Sequence, residues 1–235
     1  MRRRAEGRRV VLVAHRGVPG AAPENSLAGI AAALGRADIV EVDVSLSGSD
    51  LVLAHSADAA GPESPRLRDA LAFFAERAPP AAGIQLDVKP RGVEEPLVAA
   101  IREHGLLERA LVSSTFADVL RAVRALEPSV ATALGYPYDR AAVAERRLVP
   151  DVLVRAALLG LRAALPLRVA RMARSAQADV VSLHHLVLSE AAVRRCHDLG
   201  LAVFAWTVND ADDLERVVAL GVDGVVTDQP GLVRA

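Results

Sequence analysis

Short apolar runs alternate with helix-like segments from one end of this 235-residue chain to the other, and that rhythm restricts the folds open to it. Val/Leu/Ile-rich runs read as strands at residues 10–15, 39–44, 84–88, 110–114, 130–134, 180–183, 203–206 and 224–227. The segments between them read as helices at 26–34, 67–77, 94–103, 117–126, 189–198 and 211–220, with a longer helical section over 139–176. A further run at 51–54, after the turn Ser47-Gly48-Ser49-Asp50, is the hairpin partner of the second strand. Strands that are apolar on both faces need helices on both sides, which predicts a parallel sheet. Eight such strands in this length suit a closed barrel better than an open sheet. The expected architecture is α/β: a single (β/α)8 TIM barrel over residues 10–235 with a small hairpin after strand 2. Residues 1–9 are expected to form a flexible basic tail. Punctuation agrees: Pro79-Pro80 stops one helix, Gly105 closes another, and Asn209 or Asp210 can cap the helix at 211–220. Pro166 is expected to split the stretch at 152–174 into two shorter helices.

Composition narrows the function. Aromatic residues make up only 3% of the chain, so its core must be built from Ala, Val and Leu. A net charge of −1 argues against nucleic acid held by bulk electrostatics. One cysteine, Cys196, excludes an internal disulfide and a cysteine-based zinc site, and reads as a packed, inert thiol. The basic start is followed by an apolar run too short for a signal peptide, and no uncharged apolar run spans a bilayer. A cytoplasmic protein is therefore expected. Arginines at 155, 162, 168, 171 and 174 mark the 152–174 stretch. It reads as an outer barrel helix with a solvated Arg face, or as a basic amphipathic surface making weak membrane contact.

Polar residues interrupt the strands in a pattern that suits phosphate chemistry. The first strand ends on His15-Arg16-Gly17, a proton carrier beside a permanent cation that can fork onto phosphate oxygens. Glu41 and Asp43, two apart in a strand, point to one face. Buried together they demand a neutralising cation, supplied either by one salt bridge with Lys89 or an arginine, or by a metal. Asp87 and Lys89 repeat the pattern on the next main strand. Three carboxylates without cysteine form a hard-oxygen site for Mg²⁺ or Ca²⁺. His55 closes the hairpin strand, either as a backbone-satisfied imidazole or as the second member of an acid/base pair with His15. Trp206, the single tryptophan, ends a strand and is either core or the apolar wall of a pocket. His184 and His197 lack such a setting, and His185 is a weaker candidate for lining the mouth.

Taken together, His15-Arg16-Gly17, Pro23-Glu24-Asn25-Ser26, Glu41-Val42-Asp43-Val44, His55, Leu86-Asp87-Val88-Lys89, Trp206-Thr207-Val208-Asn209 and the stretch from Gly221 to Asp228 resemble the glycerophosphodiester phosphodiesterases. The resemblance runs from Val10 to Pro230. It implies a TIM barrel, a divalent cation, and hydrolysis of glycerophosphodiesters to glycerol 3-phosphate and an alcohol. Glu41, Asp43 and Asp87 would bind the metal, and His15 and His55 would be the acid/base pair. Arg16 and Lys89 would hold the phosphate, and Trp206 would line the glycerol side. Glu24 would orient the inner residues, and Asn25 would cap the first helix. Three departures stand out. Asp87 replaces the usual Glu, Ser56 stands where an Asp usually follows the second histidine, and the segment from His55 to Asp87 is shortened, which implies a more open mouth. Two alternatives follow: a lysophospholipid or sphingolipid head-group phosphodiesterase, and a non-catalytic barrel that binds phosphorylated ligands.

Overall fold

The structure, a computed structural model, describes residues 9–137 and 151–234. Residues 1–8 of the expected tail, and the expected helical stretch at 139–150, lie outside the described residues. Arg9, counted with that tail, pairs with Asp38.

Among the described residues, nine strands form one sheet: β1 (Val11–Ala14), β2 (Ile39–Ser47), β3 (Asp50–Leu53), β4 (Gly83–Val88), β5 (Ala110–Ser114), β6 (Ala131–Tyr136), β7 (Val180–His184), β8 (Ala202–Trp206) and β9 (Gly224–Thr227). The helices are α1 (Leu27–Ala33), α2 (Leu67–Arg77), α3 (Glu94–Glu103), α4 (Ala117–Leu126), α5 (Asp151–Ala176), α6 (Glu190–Asp198) and α7 (Ala211–Ala219). β1 pairs in parallel with both β9 and β2, which closes eight parallel strands into a barrel. β3 is the exception, pairing antiparallel with β2. The expected (β/α)8 barrel and its hairpin are both present.

The helices bury one face each against the outer faces of the strands, as their apolar spacing requires. Their starts are capped where the sequence allows it. Ser26, Ser189 and Asp210 accept hydrogen bonds from the backbone N–H groups of Gly29, Ala192 and Asp213. Pro166 does not split the long helix: α5 runs unbroken through it. The proline forfeits one backbone hydrogen bond. Around it, however, Leu165, Val169, Ala170 and Ala173 are all buried, and this packing holds both halves to the barrel.

Inside the barrel, alternate residues of each strand face the axis. Toward the foot they are apolar: Val13, Ile39, Leu111, Ala133, Val180, Phe204 and Val226 pack as one cluster. Phe204 fills the centre because Gly224 opposite it has no side chain; a Cβ there would lie 2.5 Å from the ring. Toward the mouth the same strands turn polar, presenting Glu41, Asp43, Gln85, Ser113 and Ser182, all buried. The apolar foot is the platform on which the polar end is set.

The turn after β1 is sterically tight. Gly17 has φ +89°, and a Cβ there would meet the backbone of Gly29 in α1 at 2.6–2.8 Å. Gly48, in the β2–β3 turn, has φ +61° and open space around it. Gly48→Ala is expected to cost about 1 kcal/mol, the left-handed penalty alone. Gly17→Ala is expected to cost about 3 kcal/mol or more, because backbone overlap adds to that penalty. Urea denaturation of the two variants checks the difference.

Candidate active site

The mouth is organised around one carboxylate. Asp43 is 1% exposed, yet every side around it supplies a partner. Asn25 clasps it twice: its Nδ2 donates to Asp43 Oδ2 (2.9 Å), and the Asp43 backbone N–H donates to Asn25 Oδ1 (2.8 Å). Arg16 Nε lies 2.9 Å from Oδ2, and Lys89 Nζ lies 2.7 Å from Oδ1. His55 Nδ1 stands 3.2 Å from Oδ2. Burial pushes Asp43 up, but the His55 hydrogen bond and the charges of Lys89 and Arg16 overcome it and hold the carboxyl well below its usual range.

Asn25 therefore does not cap α1, as the sequence suggested. Ser26 takes the cap, and Asn25, buried with φ 53°, turns inward to Asp43. The left-handed backbone of the turn is what reverses its direction. Arg16, also left-handed at φ 50°, sends its guanidinium across the mouth. Its Nη1 donates to Glu24 Oε2 (2.8 Å), and its Nη2 lies 2.8 Å from His55 Nδ1. Glu24 thus braces Arg16 from the solvent side.

Glu41 sits deeper on β2. The Arg16 backbone N–H donates to its Oε2 at 2.8 Å. Burial and the charges of Asp43 and Asp87, only partly offset by His15 and Lys89, raise Glu41 to about 7. On β4, Asp87 pairs with Lys89 and accepts from Ser113 Oγ (2.7 Å), which in turn accepts from Gln85 Nε2 (3.0 Å). Lys89 thus bridges Asp43 and Asp87. Burial would lower its pKa, but the charges of Asp87 and Asp43 raise it, so it stays an ammonium. Ligand oxygens of Glu41, Asp43 and Asp87 lie within 4.8 Å of one another. Beside them Gln85 Oε1, in register with Glu41, is buried without a hydrogen-bond partner. Such an all-oxygen donor set suits a hard divalent cation.

His15 closes the circle from β1. Its Nδ1 lies 2.7 Å from Asp228 Oδ1, just beyond β9. Asp228 is held in turn by Asn209, whose Nδ2 donates to its Oδ2 (2.6 Å) and whose Oδ1 accepts its backbone N–H (2.9 Å). Burial opposes charging of His15, but the Asp228 hydrogen bond and the charge of Glu41 outweigh it, and its pKa is raised. Asp228 is lowered, chiefly by the same hydrogen bond.

Trp206 stands at the end of β8, its Nε1 donating to Ser182 O (2.9 Å). His184, its register partner on β7, meets it edge-on with ring centroids 5.1 Å apart. His184, which lacks a site setting in the sequence, lies on the barrel-facing side of the mouth. Its Nδ1 accepts from the Leu186 N–H, and burial together with His185 lowers it to about 4, so it is a neutral imidazole. His185 instead pairs with Asp213 (2.9 Å). His197 pairs with Asp223 (2.9 Å) behind the sheet, and burial pushes the Cys196 thiol up to about 12. All the candidates from β1, β2, β4 and β8, together with His55, share this end of the barrel. Asp228 and Asn209 are the partners that sequence reading did not single out. Their signals are the motifs that contain them and their positions just beyond the ends of β9 and β8.

No helix among the described residues is long and apolar enough to cross a membrane. Residues 82–232, more than half of the chain, match the Glycerophosphoryl diester phosphodiesterase family. A glycerophosphodiester phosphodiesterase of Caldanaerobacter subterraneus subsp. tengcongensis is 29% identical over 141 residues, 59% of this chain and 46% of that protein. The match thus spans about half of that relative's length. A Silicibacter pomeroyi structure, provisionally named a glycerophosphoryl diester phosphodiesterase, superposes with TM-score 0.76 at 21% identity, covering 99% of this chain and 93% of that one. A phosphodiesterase of Oleispira antarctica, solved with the product sn-glycerol-3-phosphate, superposes with TM-score 0.69 at 23% identity, covering 95% of each chain. The chain belongs to the glycerophosphoryl diester phosphodiesterase family.

Proposed function

We propose that this chain hydrolyses glycerophosphodiesters to glycerol 3-phosphate and an alcohol, with a divalent cation held by Glu41, Asp43 and Asp87. One observation carries the reading: a three-carboxylate cluster at the barrel mouth with His15 approaching from β1 and His55 from the end of β3. Kinship with the Oleispira phosphodiesterase, whose structure holds glycerol 3-phosphate, supports the product.

The residues fit a cation. Lys89 and Arg16 already offset Asp43 and Asp87, while Glu41, which accepts the Arg16 backbone N–H, is raised to about 7 by burial and by its acidic neighbours. Mg²⁺ or Ca²⁺, when bound, supplies positive charge to the phosphoryl oxygens. Lys89, a compact ammonium on a flexible stem, holds a phosphate oxygen by charge. The Arg16 guanidinium is shared among Glu24, Asp43 and His55, so its main work is to fix Asp43 and His55. It adds to the positive field that a phosphate meets.

His15 and His55 divide two proton transfers. One takes the proton of the attacking hydroxyl, either water, which gives glycerol 3-phosphate directly, or the glycerol hydroxyl of the substrate, which gives a cyclic phosphate that water then opens to glycerol 3-phosphate. The other protonates the departing alcohol oxygen. With His15 Nδ1–H turned to Asp228, its Nε2 is the nitrogen that exchanges the proton. The Trp206 ring gives the glycerol carbons a flat apolar wall.

The test is turnover of glycerophosphocholine, lysophosphatidylcholine and an aryl phosphodiester, with Mg²⁺, with Ca²⁺ and with chelator. Release of glycerol 3-phosphate that needs the cation is expected; turnover unaffected by chelator, or none with any substrate, overturns the reading. His15→Ala and His55→Ala are each expected to lower kcat by about 10²–10⁴-fold with an unchanged circular dichroism spectrum. Asp228→Asn removes the partner that raises His15, so the imidazole should titrate at lower pH by NMR. Its kcat should fall by about 10–100-fold, the usual cost of losing such a supporting contact.

Glu41 gives a pH test. Its folded pKa of about 7 lies above its ordinary 4.5. Between those values the folded state binds more protons than the unfolded, so stability falls as pH rises through this window. A cation replaces the proton. The rise in Tm on adding Mg²⁺ or Ca²⁺ is therefore expected to be larger at pH 8 than at pH 5, and differential scanning fluorimetry checks it.

A further inference from the structure

The longest helix carries a surface that the proposed reaction does not use. α5 has 26 residues, against 11 in α2, and at 1.5 Å per residue is about 39 Å long. Its C-terminal end is tied to the foot of the barrel, where Arg121 donates to the Ser175 carbonyl. The surplus length therefore lies toward the mouth, since a crossover helix runs back from the C-terminal ends of the strands.

Along the solvent side of α5, Ala156, Leu159, Ala163, Leu167, Arg171 and Arg174 follow one another at three- or four-residue spacing, and all are exposed. This is one continuous stripe. Its mouth-ward part is apolar: Leu159 is 62% and Leu167 88% exposed. Its foot-ward part is basic, and no described acid pairs with Arg171 or Arg174. The local sequence explains why. From residue 152 to 178 there are five arginines and no aspartate or glutamate, in a chain whose net charge is −1. An ordinary outer barrel helix keeps its apolar residues on the inner face and mixes charges of both signs outside.

We propose that this stripe seats the protein on an anionic phospholipid surface, with Leu159 and Leu167 entering the acyl boundary and Arg171 and Arg174 meeting lipid phosphates. A surface-lying helix with leucines beside arginines suits that boundary, where apolar area and positive charge are both rewarded. A second copy of the chain suits it less well, because the exposed stripe itself carries no acid to receive the partner's arginines. With its apolar part toward the mouth, the docked helix would bring the barrel opening to the level of the head groups. The proposal does not depend on which phosphodiester is hydrolysed.

The test is co-sedimentation of the full chain with vesicles of phosphatidylcholine alone and of phosphatidylcholine mixed with phosphatidylglycerol. Binding is expected only to the anionic vesicles and should weaken as salt is raised. Arg171→Gln with Arg174→Gln should weaken it by about 30-fold, at roughly 1 kcal/mol per arginine near the surface. Leu159→Glu with Leu167→Glu should weaken it at least as much. Both pairs should leave the circular dichroism spectrum and the turnover of a soluble substrate unchanged, since neither touches the mouth residues. Three results would overturn the proposal: no preference for anionic vesicles, equal binding by both variant pairs, or a dimer in analytical ultracentrifugation that Leu167→Glu dissolves.

Discussion

A single buried carboxylate, Asp43, is the constraint on which the mouth of this barrel depends. Removing a carboxylate from water costs several kcal/mol unless charge and hydrogen bonds replace the lost hydration. Here the replacements come from the turn after β1 (Arg16), the loop before α1 (Asn25), the end of β3 (His55) and β4 (Lys89). Each of these groups would otherwise be free to point elsewhere. Arg16 and Asn25 both hold left-handed backbone at φ 50° and 53°, an uncommon conformation for residues other than glycine. The bonds to Asp43 and Glu41 stabilise that conformation, and the conformation brings Arg16 and Asn25 into reach. Neither half stands without the other.

The same strands serve two purposes along their length. At the foot, Val13, Ile39, Leu111 and Phe204 give the barrel an apolar plug. At the mouth, the next inward positions turn polar, with His15, Glu41 and Ser113 above Val13, Ile39 and Leu111. A core with few aromatic residues manages this through fit: Phe204 occupies the space that Gly224 leaves. Glu41, Asp43 and Asp87 are carried by β2 and β4, and the hydrogen-bonded register of those strands keeps the carboxylates close despite their repulsion.

What the sequence disclosed follows the range of the interactions involved. Alternation of strand and helix is local, so the barrel, its hairpin and nearly every element could be read from it. Glu41, Asp43, Asp87 and Lys89 stood out because charge inside an apolar strand needs a reason. The pairing of His15 with Asp228 joins residues 213 positions apart and exists only once β9 closes onto β1. Asn25 has the chemistry of a cap, and Ser26 beside it has too; only the tertiary partner Asp43 decides between them. His184 became visible through the β7–β8 register that sets it against Trp206. Pro166 misled because local propensity opposed a helix that packing on both sides of it holds together.

Lys89 shows how narrow the electrostatic solution is. The chain has 28 lysines and arginines, and Lys89 is the only lysine. A guanidinium is planar and binds carboxylates through a fork, whereas an ammonium is a compact charge with donors pointing three ways. The compact group meets Asp43 Oδ1 and Asp87 Oδ2 at once, while Asp43 Oδ2 is taken by Asn25, Arg16 and His55 and Asp87 Oδ1 by Ser113. Its charge also reaches Glu41, the next inward position toward the foot, but burial and the charges of Asp43 and Asp87 prevail and raise that carboxyl to about 7. A site with one carboxyl held at the edge of ionisation near neutral pH can exchange a proton for a cation with little change elsewhere. Lys89, Arg16 and His55 together keep Asp43 charged, and Glu41 is the position where a further positive charge is accommodated.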